Sequence, residues 1–198
     1  MVDHLFADTE LAALYDTFCE GRPDFAFYLP LVMGAESVLD VGCGTGALLH
    51  SARENGHSGR LCGLDPAAGM LIQARKRSDI DWVSGDLTSV RWESEFDLII
   101  MTGHAFQVLT DDEELHVSLT AIRSALTPDG CFIFETRNPG VRGWEEWVPE
   151  NAMEIEDASG STVRLEHSVD LPVEGDLVSF TATFSCPSWD ALVSAEAP

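Results

Sequence analysis

Three glycines at alternate positions follow a short apolar run: Ser37-Val-Leu-Asp-Val-Gly-Cys-Gly-Thr-Gly46, then Ala47-Leu-Leu-His50. Val38, Leu39 and Val41 read as a buried strand. Gly42, Gly44 and Gly46 carry no Cβ, so the backbone turns sharply and approaches a ligand closely before a helix opens. About twenty residues on, a second apolar strand, Leu61 to Leu64, ends in Asp65, an acceptor-only carboxylate suited to two neighbouring sugar hydroxyls. A glycine turn with an acid at the tip of the next strand describes a site for a nucleoside cofactor.

The rest of the chain is read around that turn. Thr9 to Glu20 is expected as a helix, with Leu11, Leu14, Tyr15 and Phe18 at three- and four-residue spacing, and Gly21-Arg-Pro23 breaks it. Asp24 to Met33 reads as a second apolar helix, kinked or interrupted at Pro30. After the glycine turn come a helix over 47–55, a strand over 60–64 and a helix over 67–77 with Met70, Leu71 and Ala74 inward. A third strand follows at Asp81-Trp-Val-Ser, ending at Gly85-Asp86-Leu87. Phe96 to Met101 is a continuous apolar run of the kind buried on both faces, opening into Thr102-Gly-His-Ala-Phe106. Thr110-Asp-Asp-Glu113 has the pattern of a capping box, and its helix is expected to present Leu115, Leu119, Ile122 and Leu126 on one face. Thr127-Pro-Asp-Gly130 then turns into a fifth strand, Cys131 to Glu135. Strands alternating with helices give an α/β fold, a doubly wound and mostly parallel sheet.

The last third changes period. Val163, Leu165, His167, Val169 and Leu171 alternate with polar residues, as do Val178, Phe180, Ala182, Phe184 and Cys186. Between them Pro172-Val-Glu-Gly-Asp176 reads as a turn, giving a C-terminal antiparallel hairpin, and Gly160 turns an earlier strand, 153–157, into the first of these. One domain is expected over 1–198: a helical flank or lid over 1–36, a cofactor-binding core over 37–140 and an antiparallel extension over 141–198.

The formal charge of -23 repels phosphate backbones and anionic membranes, so neither nucleic acid nor membrane is the expected partner. The five cysteines, Cys19, Cys43, Cys62, Cys131 and Cys186, are odd in number and form no C-x-x-C, which argues against a disulfide framework or a metal site. With no basic n-region after Met1 and no apolar run long enough for a span, a cytoplasmic location is expected.

Two cofactor classes compete for the turn. Gly42-x-Gly44-x-x-Ala47 also satisfies the loose dinucleotide pattern with Asp65 as the ribose acid, which would make the protein an NAD(P)-dependent oxidoreductase. Three features favour S-adenosylmethionine. Asp40 stands two residues before Gly42, placed to order the amino end of a methionine moiety. The glycine triplet permits close approach without requiring a pyrophosphate. Asp86, at the end of the third strand, is placed to accept from an adenine amino group, although Gly-Asp is also ordinary turn chemistry.

In order and at the expected spacing, Val38-Leu-Asp-Val-Gly-Cys-Gly-Thr-Gly46, Gly63-Leu-Asp-Pro66 with Met70-Leu71, Gly85-Asp86, Phe96-Asp-Leu-Ile-Ile100 and Leu126-Thr-Pro-Asp-Gly130 resemble the successive motifs of class I S-adenosylmethionine-dependent methyltransferases. The resemblance covers residues 37–136, about half the chain, and is closer to the small-molecule type of bacterial member. It implies a Rossmann-like methyltransferase fold and S-adenosylmethionine as cofactor, with S-adenosylhomocysteine as product and a small molecule as acceptor. It also implies roles for particular residues. Gly42, Cys43, Gly44 and Gly46 line the methionine and ribose portion, Asp65 with Pro66 meets the ribose, and Met70 packs on adenine. Gly85, Asp86 and Leu87 close over the base, Thr102 and His104 lie near the sulfonium, and Tyr15 and Tyr28 reach in from the flanking helices.

Methyl transfer is an in-line displacement at an activated sulfonium, so positioning and exclusion of water carry most of the task, and a base is needed only where the acceptor sheds a proton. His104 is the candidate base; the alternative is a structural histidine bonded to the next loop. Glu135 and Arg137 stand with it at or beyond the carboxyl ends of strands four and five. Trp144, Trp147 and Trp189 are candidates for an acceptor pocket or for core. Cys43 lacks the companion histidine of a nucleophile.

One departure stands out. Class I sheets usually end in an antiparallel pair after the fifth strand, and this sequence shows no such pair. The hairpin is therefore expected either to cover the edge of the fifth strand or to join two copies as a homodimer through the C-terminal strands. A non-catalytic S-adenosylmethionine-binding protein lacking those strands is the further alternative.

Overall fold

The computed structural model describes residues 6, 8–171, 173, 177–189 and 192–197. In chain order its main elements are α1 (Thr9–Phe18), α2 (Phe25–Gly34), β1 (Ser37–Val41), α3 (Ala47–Glu54), β2 (Arg60–Asp65), α4 (Ala68–Ala74), β3 (Asp81–Ser84), β4 (Phe96–Met101), α5 (Asp112–Ala125), β5 (Leu126–Phe134), β6 (Met153–Glu156), β7 (Thr162–Val169), β8 (Phe180–Ser185) and β9 (Val193–Ala197). Contacts divide the chain into two compact units, residues 21–136 and residues 1–20 with 137–198. The two opening helices, read from the sequence as one flank, fall in different units.

In the first unit all five strands run parallel in the order β3-β2-β1-β4-β5. Side-chain alternation explains the apolar runs. Val38, Leu61, Leu98 and Ile100 face one side, against Tyr28 and Val32 of α2 and Leu48, Leu49 and Ala52 of α3. Leu39, Val41, Cys62, Leu64, Ile99 and Met101 face the other, against Ile122 and Ala125 of α5. A strand covered on both faces has no polar side to show. The chain leaves β1 toward β2 on one side and returns through β4 on the other, so the carboxyl ends of β1 and β4 flank a topological switch point.

Local details correct the sequence reading. α2 runs through Pro30 without ending; the burial of Tyr28 and Val32, at 1% and 0% exposure, offsets the one backbone hydrogen bond a proline forfeits. Asp111, not Thr110, caps α5: its carboxylate accepts from the Glu113 and Glu114 N–H, both at 3.0 Å. The inward face of α5 is consequently Ser118, Ile122 and Ala125, while Leu119 is 40% exposed. β5 starts at Leu126, slips its register against β4 between Phe96 and Leu98, and resumes at Cys131.

The second unit is a four-stranded antiparallel sheet in the order β6-β7-β8-β9. Val163 and Leu165 of β7 and Ala182 and Phe184 of β8 bury one face beneath Leu11, Leu14 and Phe18 of α1. Gly160, with φ +81, turns β6 into β7, and the Asp157 carboxylate closes that turn on the Ser159 and Ser161 N–H. The expected turn at 172–176 lies, except for Val173, outside the described residues. β9 was not anticipated; it pairs with β8 from Phe184↔Val193 onward. The hairpin does not extend the parallel sheet. Among the described residues these strands form a sheet of their own, with α1 over its apolar face, and β5 is the end strand of the parallel sheet.

Candidate functional site

Gly42, Gly44 and Gly46 all adopt left-handed backbone, φ +71, +56 and +76, but they serve different ends. A Cβ on Gly44 would meet nothing within 4 Å, so this position lies against open space. A Cβ on Gly46 would strike the Trp82 ring at 2.3 Å, and one on Gly63 would strike it at 2.5 Å. Gly46 therefore makes room for an indole of β3 rather than for a ligand, a packing partner the sequence reading did not identify. Trp82 also packs on Cys43, whose thiol is pushed well up by burial.

Asp65, at the end of β2, bridges the turn to α4. One carboxylate oxygen accepts from the Gly44 N–H at 2.8 Å and the other from the Ala67 N–H at 2.8 Å, with Pro66 between and Met70 buried behind. Burial raises its pKa, and the two N–H groups pull against that rise. Asp40, at 1% exposure, is more confined. Its Oδ1 is buried with no hydrogen-bond partner among the described residues. Burial pushes its pKa up to about 7; the Arg22 guanidinium opposes the rise, and Asp65 and Asp24 add to it.

Arg22 is a site residue that the sequence reading passed over, treating Gly21-Arg-Pro23 as a helix breaker. Its guanidinium makes a two-pronged ion pair with Asp24, lies 4.8 Å over the Phe25 ring and reaches Thr102 Oγ1 at 3.5 Å. Thr102 and Gly103 continue from β4, and His104 follows in left-handed backbone, φ +67. His104 Nδ1 stands 3.8 Å from Glu135 Oε1, just past β5. Tyr28 comes in from α2; burial, then the charge of Glu135, pushes its pKa up to about 12. Asp40, Thr102, His104, Glu135, Tyr28 and Arg22 thus gather at the carboxyl ends of β1, β4 and β5.

Other expected residues have different surroundings. Asp86 Oδ1 accepts from Thr88 N, Thr88 Oγ1 and Ser89 N at 2.9, 2.6 and 3.0 Å, closing the turn that begins at Gly85, and these bonds lower its pKa. Leu87 sends its side chain into the core. In the second unit, Tyr15 meets Phe6 edge-on at 6.0 Å, and Arg137 lies 4.9 Å over Trp147, which packs on Phe180. Trp189 joins the core under α1, and Trp144 lies beneath Arg142, so the three tryptophans do not share one setting. Among the described residues no helix is long and apolar enough to cross a membrane.

A doubly wound parallel sheet with a glycine turn after β1, an acid ending β2 and an unpartnered buried carboxylate at the switch point defines a nucleoside-cofactor protein of the Rossmann-like class. Comparison narrows the class. Residues 38–130 match the family model described as "Methyltransferase domain". The chain is 39% identical over 126 residues to the 2-phytyl-1,4-naphtoquinone methyltransferase of Thermosynechococcus vestitus, covering 61% of this chain and 54% of that protein. It is 30% identical over 110 residues to a cypemycin N-terminal methyltransferase of a Streptomyces species, covering 54% and 44%. Among solved structures, Streptomyces venezuelae DesVI superposes with a TM-score of 0.67 at 25% identity, over 100% of this chain and 82% of that one. In sequence over its parallel unit, and in fold, the chain is similar to methyltransferases. It spans about half the length of the curated relatives it matches.

Proposed function

We propose that this protein transfers a methyl group from S-adenosylmethionine to a small-molecule acceptor, leaving S-adenosylhomocysteine. The observation that carries the reading is the buried, unpartnered Asp40 oxygen, on the strand that runs into the open face of Gly44 and its bond to Asp65. A carboxylate oxygen removed from water without a donor is costly, and the ammonium of an amino-acid moiety is the group that relieves it. The donor set therefore fits the cofactor. Asp40 would meet its amino end, the Gly44 backbone would lie along its middle, and Asp65, whose two oxygens retain unused lone pairs, would accept from its ribose.

When bound, S-adenosylmethionine supplies a methyl group already activated on a sulfonium. The chain's own residues then hold the partners in line and exclude water. His104, 38% exposed at its side chain, is placed to take the proton that an amine or hydroxyl acceptor sheds and to pass it to solvent.

Calorimetry on the full chain tests the reading. S-Adenosylhomocysteine should bind and NAD should not. Asp65→Ala removes charged hydrogen bonds to ribose at about 1.5–3 kcal/mol each, roughly a ten- to hundred-fold weaker affinity. Tighter binding of NAD, or an affinity untouched by Asp65→Ala, would overturn it.

A further inference from the structure

The polar cluster at the ends of β4 and β5 has an order that the methyl-transfer reading does not use. Glu135 stands near two groups: Tyr28 of α2, whose pKa its charge helps to raise, and His104, whose Nδ1 is 3.8 Å from Glu135 Oε1. Tyr28 is 1% exposed and is held in place by the core around it. The histidine is aimed from its own side. Gly103 and His104 both adopt left-handed backbone, φ +61 and +67, which is uncommon for a residue with a side chain and typical of functional turns.

The geometry points to Glu135 as the positioning residue for His104: it holds the ring with Nδ1–H toward its carboxylate, so that Nε2 is the nitrogen that takes the acceptor's proton. The separation of 3.8 Å is too long for a hydrogen bond and short enough for a strong charge interaction. Catalytic contacts of this kind commonly tighten when ligands arrive. The proton balance is simple. The acceptor's N–H or O–H bond breaks as its lone pair gains the methyl group, the proton forms the Nε2–H bond, and the imidazolium is stabilised by the Glu135 charge until solvent removes the proton.

The other charged groups at this end make the carboxylate necessary. Arg22 brings a guanidinium within 3.0 Å of where a Gly103 side chain would begin, a cation that disfavours a second one on His104. Asp24, paired to Arg22, offsets part of that charge, and Asp40 lies deeper beneath β1. Glu135 is the carboxylate placed to reverse the balance at the imidazole itself.

This inference rests on the methyl-transfer reading for its purpose, and its test does not need the acceptor. In the full-length protein, 15N shifts of neutral His104 should place its proton on Nδ1. A proton on Nε2 overturns the proposal without any variant. Glu135→Gln keeps the shape but removes the charge, and should lower the His104 titration midpoint by about 0.5–1 unit. Glu135→Asp, which keeps the charge one carbon farther off, should fall between the two. A midpoint unmoved by either variant overturns the assignment, and Glu135→Asp decides it should the glutamine variant fail to fold. Calorimetry with S-adenosylhomocysteine on the same samples separates the two readings: absent binding sinks the methyl-transfer function, whereas binding with an unmoved midpoint sinks only the role of Glu135.

Discussion

In the five-stranded sheet every strand points the same way, so the residues that end β1, β2, β4 and β5 arrive at one rim: Asp40, Asp65, Thr102 and Glu135. In the four-stranded sheet neighbours alternate in direction, and the charged residues sit mid-strand on the face away from α1. Arg164 there pairs with Glu154 across the ladder at 3.1 Å and with Glu166 along its own strand at 2.7 Å. A parallel sheet collects chemistry at one end because its geometry leaves polar groups nowhere else to go, both faces being covered. A one-sided antiparallel sheet disperses its polar groups over water, where they bring solubility and little else.

That contrast can be broken at three places. The largest effect belongs to Asp40. Its pKa stands at about 7 in the folded chain against 3.8 unfolded, so the native state holds the proton longer, and stability falls as pH rises from the lower value through the upper. The full difference corresponds to about 4 kcal/mol. Asp40→Asn should therefore raise the unfolding free energy of the ligand-free protein at pH 8 and have almost no effect near pH 4. An equal gain at both pH values would show that the rim carboxylate is not held under strain. Leu165→Ala, in the buried face of β7, should cost about 2–5 kcal/mol, read by denaturant melts, while leaving the affinity for S-adenosylhomocysteine within about twofold. A collapse of that affinity would mean the binding chemistry does not belong to the parallel unit alone. Smallest of all, Arg164→Ala should leave Tm unchanged within error, its ion pairs lying at the surface in reach of water. A clear loss would give the antiparallel face a role it is denied here.

Much of this was legible because period and position speak directly in α/β chains. The runs 37–41, 60–64 and 96–101 read as strands, the last as one buried on both faces, and Asp40 and Asp65 drew notice from where the first two of them end. Arg22 was illegible because a guanidinium beside a proline looks like punctuation until the fold carries it to Thr102. Trp82 hid for the same reason: its complementarity to Gly46 and Gly63 joins two strands and a turn far apart in the chain and leaves no local pattern. Asp111 displaced Thr110 as a cap by a shift of one residue, which capping statistics do not resolve. β9 was missed because its five residues, Val193–Ala197, are too few to show a period of two convincingly.

The division of the chain carries a consequence for how it is made. Residues 21–136 are continuous and hold their own core, so this unit can assemble as soon as its last strand leaves the ribosome. α1, made before that unit, must wait for β7 and β8, whose apolar face it covers. Until then Leu11, Leu14 and Phe18 are an amphipathic stretch without a counterpart, and closing so long a loop is the slow, entropy-limited event in the pathway. A helix made ahead of the parallel unit thus finds its place after it.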